Sequence, residues 1–132
     1  MDRVFLDANV LFSAAYRRDA GLQRLWKLPD CELLTSAYAH DEARRNLTER
    51  GQRIRLSRLM RAVTIVLEAP EETLPEAFQL PHKDRPILSA AIAARASHLL
   101  TGDASHFGRY FRQIIEGVRI ILPADYLAEK EM

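Results

Sequence analysis

The sequence predicts an α/β fold: a layered, mostly parallel sheet of about five strands with helices on both faces. Two observations carry that expectation. Short apolar or β-branched runs alternate with amphipathic stretches from one end of the chain to the other. The 132 residues also suit one domain, 1–132, without repeats or low-complexity tracts. A chain of this length buries roughly two thirds of its unfolded surface and needs no covalent staples.

The elements follow in order. Arg3–Leu6 is a short buried strand that runs into Asp7. Asn9–Tyr16 has helical spacing, with Val10, Leu11 and Ala14 apolar. Gly21–Leu28 reads as a second helix with Leu22, Leu25 and Trp26 inward, stopped by Pro29 and Asp30. Cys31–Thr35 is the next strand. Ser36 is the expected N-cap of a helix reaching Glu49 on an Ala39, Ala43, Leu47 stripe, and Gly51 is expected to break the pattern. Gln52–Arg61 resumes as a helix with Leu56, Leu59, Met60 and Val63 on one face and Arg50, Arg58 and Arg61 opposite. The β-branched run Ala62–Leu67 is the third strand. Glu68–Pro81 is a polar, proline-bearing connection with a short helix around Glu76–Leu80. Asp84 is placed to cap a helix reaching Ser97, with Pro86 tolerated in its first turn. Ala90, Ala91, Ala93, Ala94 and Ala96 make that helix slim enough to lie close to the sheet. His98–Thr101 is the fourth strand, Ala104–Phe111 a short helix or turn, Val118–Ile121 the fifth strand and Pro123–Glu129 a closing helix.

Composition narrows the function classes. No apolar stretch approaches the roughly 20 residues of a membrane span, and Met1-Asp2-Arg3 leads directly into a strand rather than a secretory signal. Cys31 is the only cysteine, so no internal disulfide forms and a cytoplasmic location is expected. The net charge is only +1, but its distribution is uneven. Arg44, Arg45, Arg50, Arg53, Arg55, Arg58 and Arg61 face only Glu49 in their stretch. Such a cluster is either a solvated helix face or an attractor of polyanions, for which arginine forks are well shaped. Arg50, Arg58 and Arg61, on one face, are the candidates for contact with nucleic-acid phosphate or with an acidic partner segment.

In open parallel sheets, ligands bind beyond the carboxyl ends of the strands. Asp7 ends the first strand, Asp103 follows the fourth, and Asp84 opens the helix that feeds it. Glu42 borders the apolar stripe of the helix after the second strand. Taken singly, Asp84 and Asp103 are explicable as helix caps, and Glu42 as a partner of Arg45 or Asn46. Taken jointly, converging carboxylates resist full ionisation unless cations neutralise them. An all-oxygen set selects Mg²⁺ or Mn²⁺, and no CxxC or HExxH pattern supports zinc. Such a centre suits hydrolysis of phosphate esters, the chemistry of nucleases and phosphatases.

These residues resemble a known family. Val4-Phe5-Leu6-Asp7-Ala8-Asn9-Val10-Leu11-Phe12-Ser13 looks like the opening motif of PIN-domain ribonucleases. Thr35-Ser36 with Glu42 and Ala43-Arg44-Arg45-Asn46-Leu47 resembles their second motif. His82 to Ala91 and Leu99-Leu100-Thr101-Gly102-Asp103 resemble the third and fourth. The resemblance implies a three-layer α/β/α domain and a Mg²⁺- or Mn²⁺-dependent endoribonuclease. It further implies the toxin of a VapC-like type II toxin–antitoxin pair, held by a cognate antitoxin and homodimeric. Carried over residue by residue, Asp7, Glu42, Asp84 and Asp103 are the catalytic and metal-binding acids, and Asn9 and Thr101 orient them. Ala8 stands where many members have threonine or serine. Asp41 competes with Glu42 for the second motif's acid, and the helical stripe favours Glu42.

Two other functions remain open at this level. One is a phosphatase of the aspartyl-phosphate type, although Asn9 stands where that chemistry needs an acid. The other is a non-catalytic RNA-binding or regulatory module. His82 and His106 lie near Asp84 and Asp103 in sequence, where either could touch a phosphate, and each reads first as a surface histidine. Trp26 and Tyr38 read as core or interface, and Phe107, Tyr110 and Phe111 as packing or a dimer contact.

Overall fold

A computed structural model describes residues 1–69, 74 and 79–131. A six-stranded sheet is built from β1 (Asp2–Leu6), β2 (Cys31–Ser36), β3 (Val63–Val66), β4 (His98–Leu100), β5 (Ile114–Ile115) and β6 (Val118–Ile121), in the order β3-β2-β1-β4-β6-β5. Every pairing is parallel except β5 with β6. The central strands are apolar on both faces: Val4, Phe5, Leu6, Leu99, Leu100, Ile120 and Ile121 are fully buried. That is the expected signature of parallel strands covered from both sides.

Helices α1 (Ala8–Tyr16), α2 (Ala37–Asn46), α3 (Arg50–Met60), α4 (Arg85–Ala93), α5 (Ala104–Phe107) and α6 (Pro123–Lys130) fill the connections. The chain moves outward from β1 to β2 to β3, then returns past both to place β4 on the other side of β1. Right-handed crossovers put α1, α2 and α3 on one face and α4 on the other. Consistent with this, α1 packs on α2 and α3. The strand order therefore reverses between β1 and β4, where a crevice opens beyond their carboxyl ends.

Several boundaries differ from the sequence-based expectation, each for a local reason. Gly21–Lys27 is a 3₁₀ rather than an α-helix, with Leu25 buried and the Trp26 indole donating to the Leu59 carbonyl at 2.9 Å. α2 stops at Asn46, where Leu47 turns extended and buries itself completely. Gly51 does not break the helix; it sits in the first turn of α3, whose start is set by Glu49 donating its N–H to Gln52 Oε1. Val63 belongs to β3, not to the preceding helix. Asp84 closes a 3₁₀ turn, His82–Asp84, and makes no side-chain cap to α4. α4 ends at Ala93 rather than Ser97 because Arg95 takes a left-handed φ of 57°. Ala90, Ala91 and Ala96 are buried as expected, but Ala93 is exposed. Of the expected short helix around Glu76–Leu80, residues 76–78 lie outside those described, and Gln79 and Leu80 are not helical.

The sixth strand was not anticipated. β5 and β6 form a hairpin whose two turn residues, Glu116 and Gly117, have φ of 49° and 86°. Positive φ at both positions matches the twist of a two-residue hairpin, but glutamate is an unusual residue there. At the opposite end of the sheet from the crevice, the fully buried Tyr126 of α6 donates its hydroxyl to Asp2 Oδ2 at 2.7 Å. Lys130 Nζ meets the same oxygen at 2.7 Å, so the last helix is tied to the first strand.

Candidate active site

Asp7, Glu42, Asp84 and Asp103 line one cavity of about 350 Å³ at the β1–β4 crevice, with Asn46 and Lys83 at its margin. Each acid reaches it from a different element. Asp7 leaves the end of β1 as the N-cap of α1, and its Oδ1 accepts the Ala8 N–H at 2.7 Å. Glu42 is half-buried on α2. Its neighbour Asp41 points elsewhere and pairs with Arg44 and Arg45 at 3.6 and 3.3 Å. The pairing of Glu42 with Arg45 considered from sequence is thereby replaced.

Asn9 and Thr101 lock Asp7. Thr101 Oγ1 donates to Asp7 Oδ2 at 2.8 Å and accepts the Asp103 N–H at 3.2 Å. Asn9 Nδ2 donates to Asp7 Oδ2 at 3.1 Å and to Thr101 Oγ1 at 3.2 Å, while its Oδ1 accepts the Gly102 N–H at 2.8 Å. One hydroxyl and one amide thus fix the Asp7 carboxylate and join the ends of β1 and β4. Asn9, a carboxamide without an acidic proton, is spent on holding Asp7, Thr101 and Gly102, which counts against the phosphatase reading.

Asp103 does act as a cap: its Oδ1 accepts from the His106 N–H at 3.1 Å and the Ser105 hydroxyl at 2.8 Å. That leaves Oδ2 for the cavity side. Asp84 behaves differently. It is buried, and its Oδ2 is shut off from solvent, with the His106 ring nitrogen at 2.7 Å. Tyr38 holds the backbone beside it, donating its hydroxyl to the Lys83 carbonyl at 2.9 Å.

Electrostatics follow from the crowding. Burial pushes the Asp7 carboxyl up from 3.8 to about 6; the hydrogen bonds from Thr101 and Ala8 oppose this, and the charges of Asp84 and Glu42 add to it. Burial also raises Asp84, against the pull of His106 and with a further push from Asp103. A site that holds carboxylates at this cost is matched to a cation. The donors are oxygen-rich, Asp7 is pre-oriented, and Asp84 Oδ2 is a buried acceptor turned toward the other acids, with the His106 ring nitrogen 2.7 Å away. A divalent ion therefore fits the residues present.

Sequence reasoning missed one participant. His106, read as a surface histidine, is half-buried, with Nδ1 2.7 Å from Asp84 Oδ2 and 2.8 Å from Asp103 Oδ2. The one available signal was its spacing of three from Asp103, which puts both on one side of a helical turn. His82 is exposed in the turn before α4. Phe107 is fully buried and Tyr110 and Phe111 pack against the core, so these aromatics serve packing.

The arginine run divides. Arg53 Nε donates to the Leu47 carbonyl at 2.7 Å and Arg55 Nε to the Ala15 carbonyl at 2.9 Å, so both cover carbonyls at helix ends. Arg50, Arg58 and Arg61 are exposed, and none of the three lines the acidic cavity.

A family profile for the PIN domain matches residues 3–105. No curated protein matches the sequence. Among solved structures, VapBC-1 from nontypeable Haemophilus influenzae is similar with a TM-score of 0.60 at 17% identity, covering 92% of this chain and 98% of that one. VapBC2 from Rickettsia felis, bound to a DNA fragment from their promoter, is similar with a TM-score of 0.59 at 16% identity, covering 89% and 96%. At these identities the likeness speaks for the fold.

Proposed function

The chain belongs to the PIN domain family, and from that premise we propose that it is a metal-dependent endoribonuclease, the toxin of a type II toxin–antitoxin pair. The observation that carries the nuclease reading is the convergence of Asp7, Glu42, Asp84 and Asp103 on one cavity, with Asp7 and Asp84 buried. Asp7, Glu42, Asp84 and Asp103 would hold Mg²⁺ or Mn²⁺. When bound, the ion neutralises the carboxylates and the phosphate and lowers the pKa of water, which makes hydroxide available near neutral pH.

The chain's own residues do the rest. Thr101, Asn9 and the Ala8 N–H keep Asp7 in one orientation, so no reorganisation is required when substrate arrives. Thr101 carries that order across to the backbone of Asp103. Lys83, exposed at the cavity margin, is positioned to meet a phosphate oxygen. Arg50, Arg58 and Arg61 offer an exposed basic surface on α3 for more distant phosphates of an RNA chain.

RNA as substrate rests on the motif resemblance together with these basic groups. The antitoxin partner rests on the same resemblance and on the two similar structures, both of VapBC complexes. A homodimer in the cytoplasm completes the proposal; among the described residues no helix is long and apolar enough to cross a membrane. The test is cleavage of single-stranded and hairpin RNA by highly purified protein. Activity with Mg²⁺ or Mn²⁺ that EDTA abolishes and re-added metal restores is expected. Undiminished cleavage in excess EDTA overturns the metal-dependent reading, and binding without cleavage leaves the non-catalytic module in its place.

A further inference from the structure

We propose that His106 is itself a metal ligand, forming with Asp84 and Asp103 a mixed nitrogen–oxygen set that favours a first-row transition ion such as Mn²⁺ over Mg²⁺. The inference rests on the reading that this cavity holds a cation, and it goes beyond the all-oxygen site expected from the sequence.

Three observations support it. His106 Nδ1, Asp84 and Asp103 offer donor atoms that all lie within 4.8 Å of one another. The Nδ1 contacts, 2.7 Å to Asp84 Oδ2 and 2.8 Å to Asp103 Oδ2, are close to the spacing of adjacent ligands in an octahedron. With bonds of about 2.1 Å such ligands stand roughly 3 Å apart. Finally, Nδ1 and Asp84 Oδ2 are both buried and face each other at 2.7 Å, so the imidazole already stands where a cation held by the two carboxylates would meet it.

Local structure explains how the ring arrives there. α5 is a single turn anchored by the fully buried Phe107. Asp103 spends Oδ1 on the His106 N–H and the Ser105 hydroxyl, which turns Oδ2 toward the imidazole. The Asp103-x-x-His106 spacing places both side chains on one side of the turn, as in the carboxylate-x-x-histidine ligand pairs of helical metal sites. Asp84 enters from the start of α4. Imidazole is a good donor to transition ions and a poor one to Mg²⁺, which prefers oxygen and water.

The test uses the full chain, stripped of metal and loaded with less than one equivalent of Mn²⁺. Pulsed electron paramagnetic resonance reads ¹⁴N coupling from a bound imidazole, and calorimetry reads Mn²⁺ and Mg²⁺ affinities without reference to cleavage. The parent is expected to show nitrogen coupling that disappears in His106→Ala and His106→Asp and persists in His82→Asn. His106→Ala should weaken Mn²⁺ binding on the order of tenfold or more while changing Mg²⁺ binding much less. His106→Asp should bind Mg²⁺ at least as tightly as the parent, without the nitrogen signal. The ring's removal leaves the backbone cap to Asp103 intact, so thermal melts should show folded variants. Mn²⁺ bound without nitrogen coupling, or an unchanged Mn²⁺/Mg²⁺ ratio in His106→Ala, overturns this proposal and leaves the nuclease reading standing. A parent that binds neither ion overturns both.

Discussion

Replacing Asp7 by asparagine should stabilise the metal-free protein above neutral pH, because it removes a buried charge while keeping an oxygen to cap α1. The magnitude follows from the site. Burial holds the carboxyl at about 6 against an ordinary 3.8, a difference worth about 3 kcal/mol at 1.36 kcal/mol per pH unit. The sign is that of an acid raised on folding: between the two values the folded protein binds more protons than the unfolded chain, so stability falls as pH rises. The cost is absent well below pH 4 and complete above about pH 7. Asp7 is 4% exposed, so solvent screens little of it. Asparagine removes the charge but sets its amide against Asn9 Nδ2, which now donates to Asp7 Oδ2. That mismatch costs about 1 kcal/mol. The variant should therefore equal the parent near pH 4.5 and exceed it by about 2 kcal/mol at pH 7.5. For a domain of this size that corresponds to a midpoint rise on the order of 5–10 °C. Urea denaturation in EDTA at the two pH values measures the difference directly. A variant less stable than the parent by the same amount at both pH values would refute the reasoning and leave Asp7 as an acceptor for Thr101 and Asn9 with no cost of ionisation.

Other outcomes follow from the same geometry. Thr101→Val removes the donor to Asp7 and the acceptor of the Asp103 N–H; it should weaken Mn²⁺ binding roughly 10–100-fold by calorimetry, and unchanged affinity would contradict the orienting role. Mg²⁺ at about 100 times its dissociation constant should stabilise the parent by about 2.7 kcal/mol and Asp7→Asn by less, read from melts with and without metal. Neutralising Arg50, Arg58 and Arg61 together should lower RNA affinity and flatten its salt dependence by up to about three in logarithmic slope; an unchanged slope makes that face merely solvated. Tyr126→Phe breaks the hydroxyl contact to the Asp2 carboxylate and should cost roughly 1.5–3 kcal/mol in urea, with cleavage unchanged because Asp2 and Asp7 lie at opposite ends of β1.

The parts of the fold and site that could be read in the sequence are those fixed by local pattern. The apolar run ending in Asp7 marks both a central strand and its carboxyl end, and Leu99-Leu100-Thr101 does the same for β4. Once two strands are known to point the same way, Asp7, Asn9 and Thr101 fall together at one edge. What was hidden depends on contacts between distant segments. The half-burial of His106 requires α4 to bring Asp84 onto α5, which nothing in Asp103–Phe107 reveals. Arg53 and Arg55 resemble their neighbours in composition, yet the ends of α2 and α1 consume them. The hairpin at Glu116 and Gly117 lacks the asparagine or aspartate that usually announces such a turn. Asp84 looked like a cap from its position before Pro86, but the 3₁₀ turn rotates its carboxylate away from the helix and into the cavity.

That last residue offers the most direct test of the central claim, that the four acids form one catalytic metal site. Asp84 caps nothing in α4, its Oδ2 is shut off from solvent, and burial raises its carboxyl. RNA cleavage with Mn²⁺ and thermal melting in EDTA should be measured on the same preparations of the parent and Asp84→Asn. The account predicts that Asp84→Asn melts at or above the parent and does not cleave RNA. An Asp84→Asn protein that melts lower and cleaves at the parent's rate would contradict it.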